Sequence, residues 1–227
     1  MNKVFASSRE AVADVFDGAT ILFGGWGLAG NPTNLIRALY EKGVKDIVAI
    51  SNNPGTIHNG IPYDLATLIR AKRVRKFIGS YHGWNQDFIE QWRTGEIEFE
   101  CSPQGTMAER IRAAGAGIGG FYTTTGADTD LAAGKERKII NGVEHVLELP
   151  LPADFAFVKA KRGDPWGNLI YRYTAQNFNS IMAMAGKVTI AEVEELVELG
   201  SLDVNHIHTP GIYVQRIVKG EEYERRV

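Results

Sequence analysis

Between Ser7 and Arg112 short apolar runs alternate with segments of helical periodicity, and Gly, Pro or Asn punctuates nearly every junction. No other feature constrains the fold as much. Strands alternating with helices build a mostly parallel sheet with helices on both faces. Ser7 and Glu10 form a capping box ahead of Ala11, Val12, Val15 and Phe16. Asp17-Gly18 turns the chain into a buried strand, Thr20 to Phe23. A glycine-rich stretch follows, ending in Asn31-Pro32, where an Asn cap and a Pro in the first turn predict a helix start. Leu35, Ile36, Leu39 and Tyr40 mark its apolar face and Gly43 its end.

The same reading gives a strand from Asp46 to Ile50, the polar loop Ser51 to Gly55, a helix from Asp64 to Lys72 and a strand from Arg75 to Ser80. Asn85 caps a helix carrying Phe88, Ile89 and Trp92, closed by Gly95. Ile97 to Cys101 is a further strand and Pro103-Gln104-Gly105 a turn, after which Thr106 and Glu109 form a second capping box for a helix with Met107 and Ile111.

The second half is richer in strands. Gly115 to Gly126 reads as a loop, and Lys138 to Val146 as a hairpin turning at Asn141-Gly142. Phe155 to Lys161, Leu169 to Tyr173, Val188 to Glu192 and Ile212 to Ile217 are strand candidates. With no repeat and no linker, residues 1–227 form one domain: an α/β fold, an open mostly parallel sheet flanked by helices, with β-hairpin additions in the C-terminal half.

Lys and Arg number 25 against 27 Asp and Glu, and the densest basic run, Arg70 to Lys76, is short and broken by apolar residues, so nucleic acid is a poor partner. Cys101 is the single cysteine, which fits a reducing compartment. The N-terminus has no signal-like apolar stretch and no run is long enough to span a membrane, so the expectation is a cytoplasmic chain.

Gly25, Gly27 and Gly30 stand in G-x-G-x-x-G spacing between a strand and a helix. Such glycines permit a tight turn or a close backbone approach to a ligand, and N–H groups at a helix start attract an anion. The pattern by itself also describes a ligand-free turn. A dinucleotide site fails one requirement: the next strand ends in Ser51-Asn52-Asn53, with no carboxylate for a ribose. Nor does Gly-Lys-Ser/Thr follow the loop.

Asp17-Gly18, the apolar run to Phe23, Gly24-Gly25-Trp26-Gly27-Leu28-Ala29-Gly30 and Asn31-Pro32 together resemble the first signature of the CoA transferases, specifically the α, or first, subunit of the succinyl-CoA:3-oxoacid type. The resemblance continues through Ser51-Asn52-Asn53, Pro103-Gln104-Gly105-Thr106, Ala108 to Arg112, Phe121 to Gly126, Gly167 to Ile170, Asn177-Phe178-Asn179 and Ile207 to Pro210. It departs at Trp26, where the family has Phe, and at Gln176, where relatives have Arg, and both departures bear on substrate identity.

The resemblance implies a heteromeric CoA transferase that moves CoA between succinyl-CoA and a 3-oxoacid such as acetoacetate. It implies an α2β2 (A2B2) assembly with a separate β subunit, in which CoA is a substrate and no metal or other cofactor takes part. A glutamate in a Ser-Glu-Asn-Gly motif of that β subunit would be the nucleophile, and no glutamate of this chain is followed by Asn. The chain's own carboxylates are therefore read as surface charges, Glu192-Val193-Glu194-Glu195 included. The resemblance further implies that Gly24, Gly25, Trp26, Gly27, Leu28, Ala29 and Gly30 bind CoA, while Asn52, Asn53 and Gln104 position the reacting carbonyl or its oxyanion. All three amides follow expected strands, at the sheet edge where ligands bind, although turn stabilisation is an equally good reading of their position. Two other readings remain, a subunit of a CoA-thioester hydrolase and a non-catalytic acyl-CoA-binding module. His206 and His208 share a strand face in this reading but lack a third ligand, which favours hydrogen-bonded or solvent-facing histidines. Cys101 is expected to be a small buried residue, and Trp84, Trp92 and Trp166 to pack or to line an interface.

Overall fold

A computed structural model describes residues 2–221 and Tyr223. The first half runs α1 (Ser8–Ala11), β1 (Thr20–Phe23), α2 (Thr33–Lys42), β2 (Ile47–Ile50), the small pair β3 (Ile57–His58) and β4 (Ile61–Pro62), α3 (Leu65–Arg70), β5 (Val74–Gly79), α4 (Gln86–Arg93), β6 (Glu98–Cys101) and α5 (Gln104–Ala116). Then come β7 (Phe121–Thr123), β8 (Arg137–Ile140), β9 (Val143–Glu148), β10 (Ala153–Gly163), β11 (Leu169–Ile170), α6 (Asn179–Met182), β12 (Gly186–Leu196) and β13 (Arg216–Lys219).

The main sheet has the order β13-β12-β10-β1-β2-β5-β6, all parallel, with β11 antiparallel on β10. The chain moves outward from β1 to β6 and then returns to lay β10 against the free side of β1. This reversal makes the carboxyl edge around β1 a topological switch point, where open α/β sheets bind ligands. Alternate residues of β1 face opposite layers. Ile21 and Phe23 pack with Leu35, Leu39, Leu68, Phe77, Phe88 and Phe157. Leu22 joins Ile50, Ile78, Met107, Ile111, Val158 and Met182 beneath α5 and α6. Among the described residues no helix is long and apolar enough to cross a membrane.

A separate antiparallel sheet, β7-β9-β8, carries the expected Asn-Gly hairpin. Asn141 at φ 51° and Gly142 at φ 79° occupy the left-handed region that a type I′ turn requires. Strand β7 lies inside the stretch read from sequence as loop, because Phe121 to Thr123 pair with β9, a partner that local sequence does not reveal.

Several other expectations need correction. Gln104 and Gly105 belong to the first turn of α5, so Thr106 lies inside the helix and caps nothing. Cys101 is exposed. The stretch from Ile212 is a 3₁₀ turn, and the strand begins only at Arg216. His206 ends another 3₁₀ turn and bonds to the Asp203 carboxylate, whereas His208 Nδ1 accepts the Tyr171 N–H, so the two do not share a strand face. Trp92 packs as expected, stacked on Phe88 and edge-on against Phe99, and Trp84 is exposed. Glu192 is fully buried rather than part of a solvated acidic face, and Glu148 is buried too.

Candidate functional site

The carboxyl edge of the sheet gathers loops from β1, β2, β5 and β6. Asn52 and Asn53 leave the end of β2, Ser80 follows β5, and Gln104 opens α5 just beyond β6. The three amides that the resemblance groups into one site are joined by hydrogen bonds. Gln104 Nε2 donates to Asn52 Oδ1 at 2.6 Å, and Asn52 Nδ2 faces Asn53 Oδ1 at 3.4 Å. The Gly27 backbone N–H donates to that same Asn53 Oδ1 at 3.2 Å, tying the glycine loop to the cluster. Asn52 is buried, Asn53 half-buried and Gln104 exposed, so the cluster rises from the sheet toward solvent.

The glycine loop itself is a small hairpin. Trp26 and Ala29 exchange backbone hydrogen bonds at 3.0 Å each, with Gly27 in the left-handed region at φ 57°. Trp26 and Leu28 project outward, 53% and 55% exposed, whereas Gly24, Gly25 and Gly30 are buried. These buried glycines make room for the protein's own asparagines. A Cβ at Gly24 would lie 1.9 Å from Asn179 Oδ1, and one at Gly25 2.1 Å from Asn31 Oδ1. Asn179 Nδ2 donates to Gly30 O at 2.9 Å, and Asn177 Nδ2 to Ala29 O at 3.0 Å. The Asn-Phe-Asn motif therefore clamps the far side of the loop. Of the four glycines, Gly27 alone has open space above it, and its φ still favours glycine.

The expected anion site at the start of α2 is already filled. Glu192 reaches over from β12 and accepts the N–H groups of Asn34 and Leu35, while its other oxygen accepts Asn34 Nδ2 at 3.2 Å. A buried carboxylate thus supplies the negative charge and caps that the helix start needs. Asn31, the expected cap, instead donates through Nδ2 to Gly27 O at 2.9 Å. Burial pushes the Glu192 carboxyl up to about 7, against the pull of these N–H donors and of Lys159.

The start of α5 is different. Pro103 occupies the cap position and no side chain caps the first turn beside Gln104. Sequence reasoning missed one member of the site. Ser80 Oγ lies 2.9 Å from Asn52 Oδ1 and 3.1 Å from Asn52 O, and its single proton is shared between them, nearer to Oδ1. It carries no local signal, since it acts through a partner from another element. Behind the site, Arg110 anchors α5 through Glu100 and the Leu149 carbonyl, at 3.0 and 2.8 Å.

Comparison with known proteins gives the same frame. The profile described as coenzyme A transferase matches residues 5–220. A Bacillus subtilis protein, named as the first-lettered subunit of a probable succinyl-CoA:3-ketoacid coenzyme A transferase, is 52% identical over all of this chain and 94% of its own length. The correspondingly named subunit of a Pseudomonas putida 3-oxoadipate CoA-transferase is 50% identical over 96% of this chain and 94% of its own. Among solved structures, the glutaconate coenzyme A-transferase of Acidaminococcus fermentans superposes with a TM-score of 0.80 at 20% identity, over 96% of this chain and 75% of that one. An E. coli O157:H7 acyl-CoA transferase in a thioester complex with CoA gives 0.82 at 20% identity, over 96% of this chain and 47% of that one. The chain belongs to the coenzyme A transferase family.

Proposed function

We propose that this chain is the α subunit of a two-subunit CoA transferase, active only with its β subunit, that moves CoA between succinyl-CoA and a 3-oxoacid such as acetoacetate. The observation carrying this reading is the linked amide set Asn52, Asn53 and Gln104 beside the exposed hairpin Trp26 to Ala29, in a chain whose near relatives are named as one subunit of such enzymes. The set offers uncharged N–H donors and no nucleophile.

In this reading the nucleophile is a glutamate of the β subunit. Its carboxylate attacks the thioester carbonyl of succinyl-CoA, and the C–S bond breaks to give an acyl-glutamyl anhydride and CoA thiolate. The thiolate then attacks the glutamyl carbonyl, releasing succinate and leaving a glutamyl-CoA thioester. The 3-oxoacid carboxylate reverses the two steps, so no net proton or electron is exchanged. Each attack places charge on a carbonyl oxygen. Asn53 Nδ2 and the second N–H of Gln104 Nε2 are the donors on the more exposed side of the cluster that meet it, in the field of the α5 N-terminus. The hairpin tip, Trp26 to Ala29, is the part of the glycine loop that touches CoA, because Gly24, Gly25 and Gly30 are packed inside the protein.

Incubation of the chain with its copurified partner and acetoacetyl-CoA, followed by intact mass measurement, tests this. A CoA adduct on a second chain of similar size, with this chain unmodified, is the expected result, and native mass spectrometry of the pair should give α2β2. An adduct on this chain, or CoA release without an acceptor acid, overturns it; the latter outcome means thioester hydrolysis. The Pseudomonas relative favours one further acceptor, 3-oxoadipate, which a competition assay against acetoacetate separates.

A further inference from the structure

The amide cluster has a polarity, and one backbone group sets it. The Gly27 N–H can only donate, so the atom of Asn53 that faces it must be Oδ1. The atom of Asn52 beside that oxygen must then be Nδ2, which turns Asn52 Oδ1 to the other side. There it receives two donors, Gln104 Nε2 at 2.6 Å and Ser80 Oγ at 2.9 Å. Reversing any one amide would set donor against donor or acceptor against acceptor at the next junction. With the chain in this sense, Asn53 Nδ2 and the second N–H of Gln104 are both directed away from the cluster.

We infer that Ser80 is a positioning residue for the transfer reaction: its hydroxyl locks the Asn52 amide, and through it aims the donors of Asn53 and Gln104. Asn52 is itself buried and spends its polar atoms within the cluster, so its role is to transmit orientation. Ser80 suits the task because its backbone is also tied to the same residue, Ser80 N donating to Asn52 O at 3.2 Å. The end of β5 thus holds Asn52 from both backbone and side chain. Remove the hydroxyl, and Asn52 Oδ1 keeps one donor, Gln104, which is exposed and free to turn with it. The two outward donors then sample orientations that do not meet a carbonyl oxygen, which lowers turnover while leaving binding of the rest of CoA unchanged.

This inference rests on the role proposed for Asn53 and Gln104, and the experiment separates the two. Ser80→Ala, Ser80→Thr, Asn53→Ala and Gln104→Ala are each assayed in the complete two-subunit enzyme for kcat and KM, with melting temperatures measured in parallel. Ser80→Ala should lose between about tenfold and about a hundredfold in kcat, with KM changed less than about twofold. Ser80→Thr, which keeps the hydroxyl, should recover kcat to within about threefold of the native enzyme. If Asn53→Ala and Gln104→Ala lose turnover while Ser80→Ala does not, the positioning role is overturned and the site assignment stands. If neither amide variant loses turnover, the site assignment itself falls and takes the inference with it. Should Ser80→Ala fail to fold, Ser80→Thr carries the test: native kcat supports the inference, and a loss of about tenfold in the folded Thr variant overturns it.

Discussion

The carboxylate of Glu192 on β12 accepts the backbone N–H of Leu35 at 3.0 Å, joining a strand near the end of the chain to the first turn of the helix behind the glycine loop. Its pH dependence has a definite sign. Burial raises this carboxyl from an ordinary 4.5 to about 7. The unfolded chain therefore releases the proton first, and the folded state loses relative stability as pH rises from about 4.5 to about 7, with no further change beyond. The size of the effect from this group is about 3 kcal/mol. Glu192→Gln cannot ionise. Urea unfolding of both proteins across that range should show the native protein falling relative to the variant, and a constant difference would remove Glu192 as the source.

Arg110 is buried on α5 and contacts Glu100 at 3.0 Å, the Leu149 carbonyl at 2.8 Å and Glu148 at 3.7 Å. Lys135 supplies Glu148 with a second cation at 2.6 Å. Arg110→Ala leaves Glu148 with Lys135 as its cation, so the cost should fall short of the about 3–5 kcal/mol of an uncompensated buried charge and come to about 2 kcal/mol from the lost charged hydrogen bonds. Chemical denaturation should show a loss of that order; a loss below about 1 kcal/mol would mean that α5 is held by its apolar face alone.

The two kinds of glycine in the loop should respond differently to alanine. Gly24→Ala drives a methyl group into Asn179, which also holds Lys159 N at 2.9 Å, so stability should fall by about 2–4 kcal/mol. Gly27→Ala meets no neighbour within 4 Å and bears only the left-handed backbone cost of about 1–2 kcal/mol. Melting temperatures of the two variants decide the matter, and equal losses would refute the packing account of Gly24.

Gln104→Glu keeps the shape of the side chain but replaces its donor with acceptors, one facing Asn52 Oδ1. Turnover in the assembled enzyme should fall by about a hundredfold or more, while the exposed position predicts little change in melting temperature. Activity within a few-fold of native would show that the Gln104 donor is not used.

Wherever the signal is local, the elements can be read from the chain. The Asn85 cap, the Gly43 stop and the Asn141-Gly142 turn each state their structure within a few residues, and each is found as expected. Thr106 shows the limit of that method. Its capping-box spacing with Glu109 is plausible, yet the helix starts at Gln104 because Pro103 sets the chain direction earlier. Glu192 marks a deeper limit. An acidic run reads as solvated unless one knows that β12 packs behind α2, and that pairing is a property of the sheet order. The candidate site is legible as a set of residues through the family resemblance, since the position of Asn52, Asn53 and Gln104 after strands fits turn stabilisation equally well. Their hydrogen bonding to one another, and the part of Ser80 in it, depends on β2, β5 and β6 lying side by side.

The strand order also bears on how the chain is made. β1 emerges early and finds β2 soon after, but its other edge waits for β10, which begins at Ala153. Until then the centre of the finished sheet is an unsheltered edge, and α2 lacks the Glu192 cap that arrives later still. A growing chain of this design holds an incomplete sheet through most of its synthesis, a state that invites mispairing with its neighbours. Folding should therefore be slow and late, and ribosome-bound chains ending before β10 should be the ones that bind a holdase chaperone.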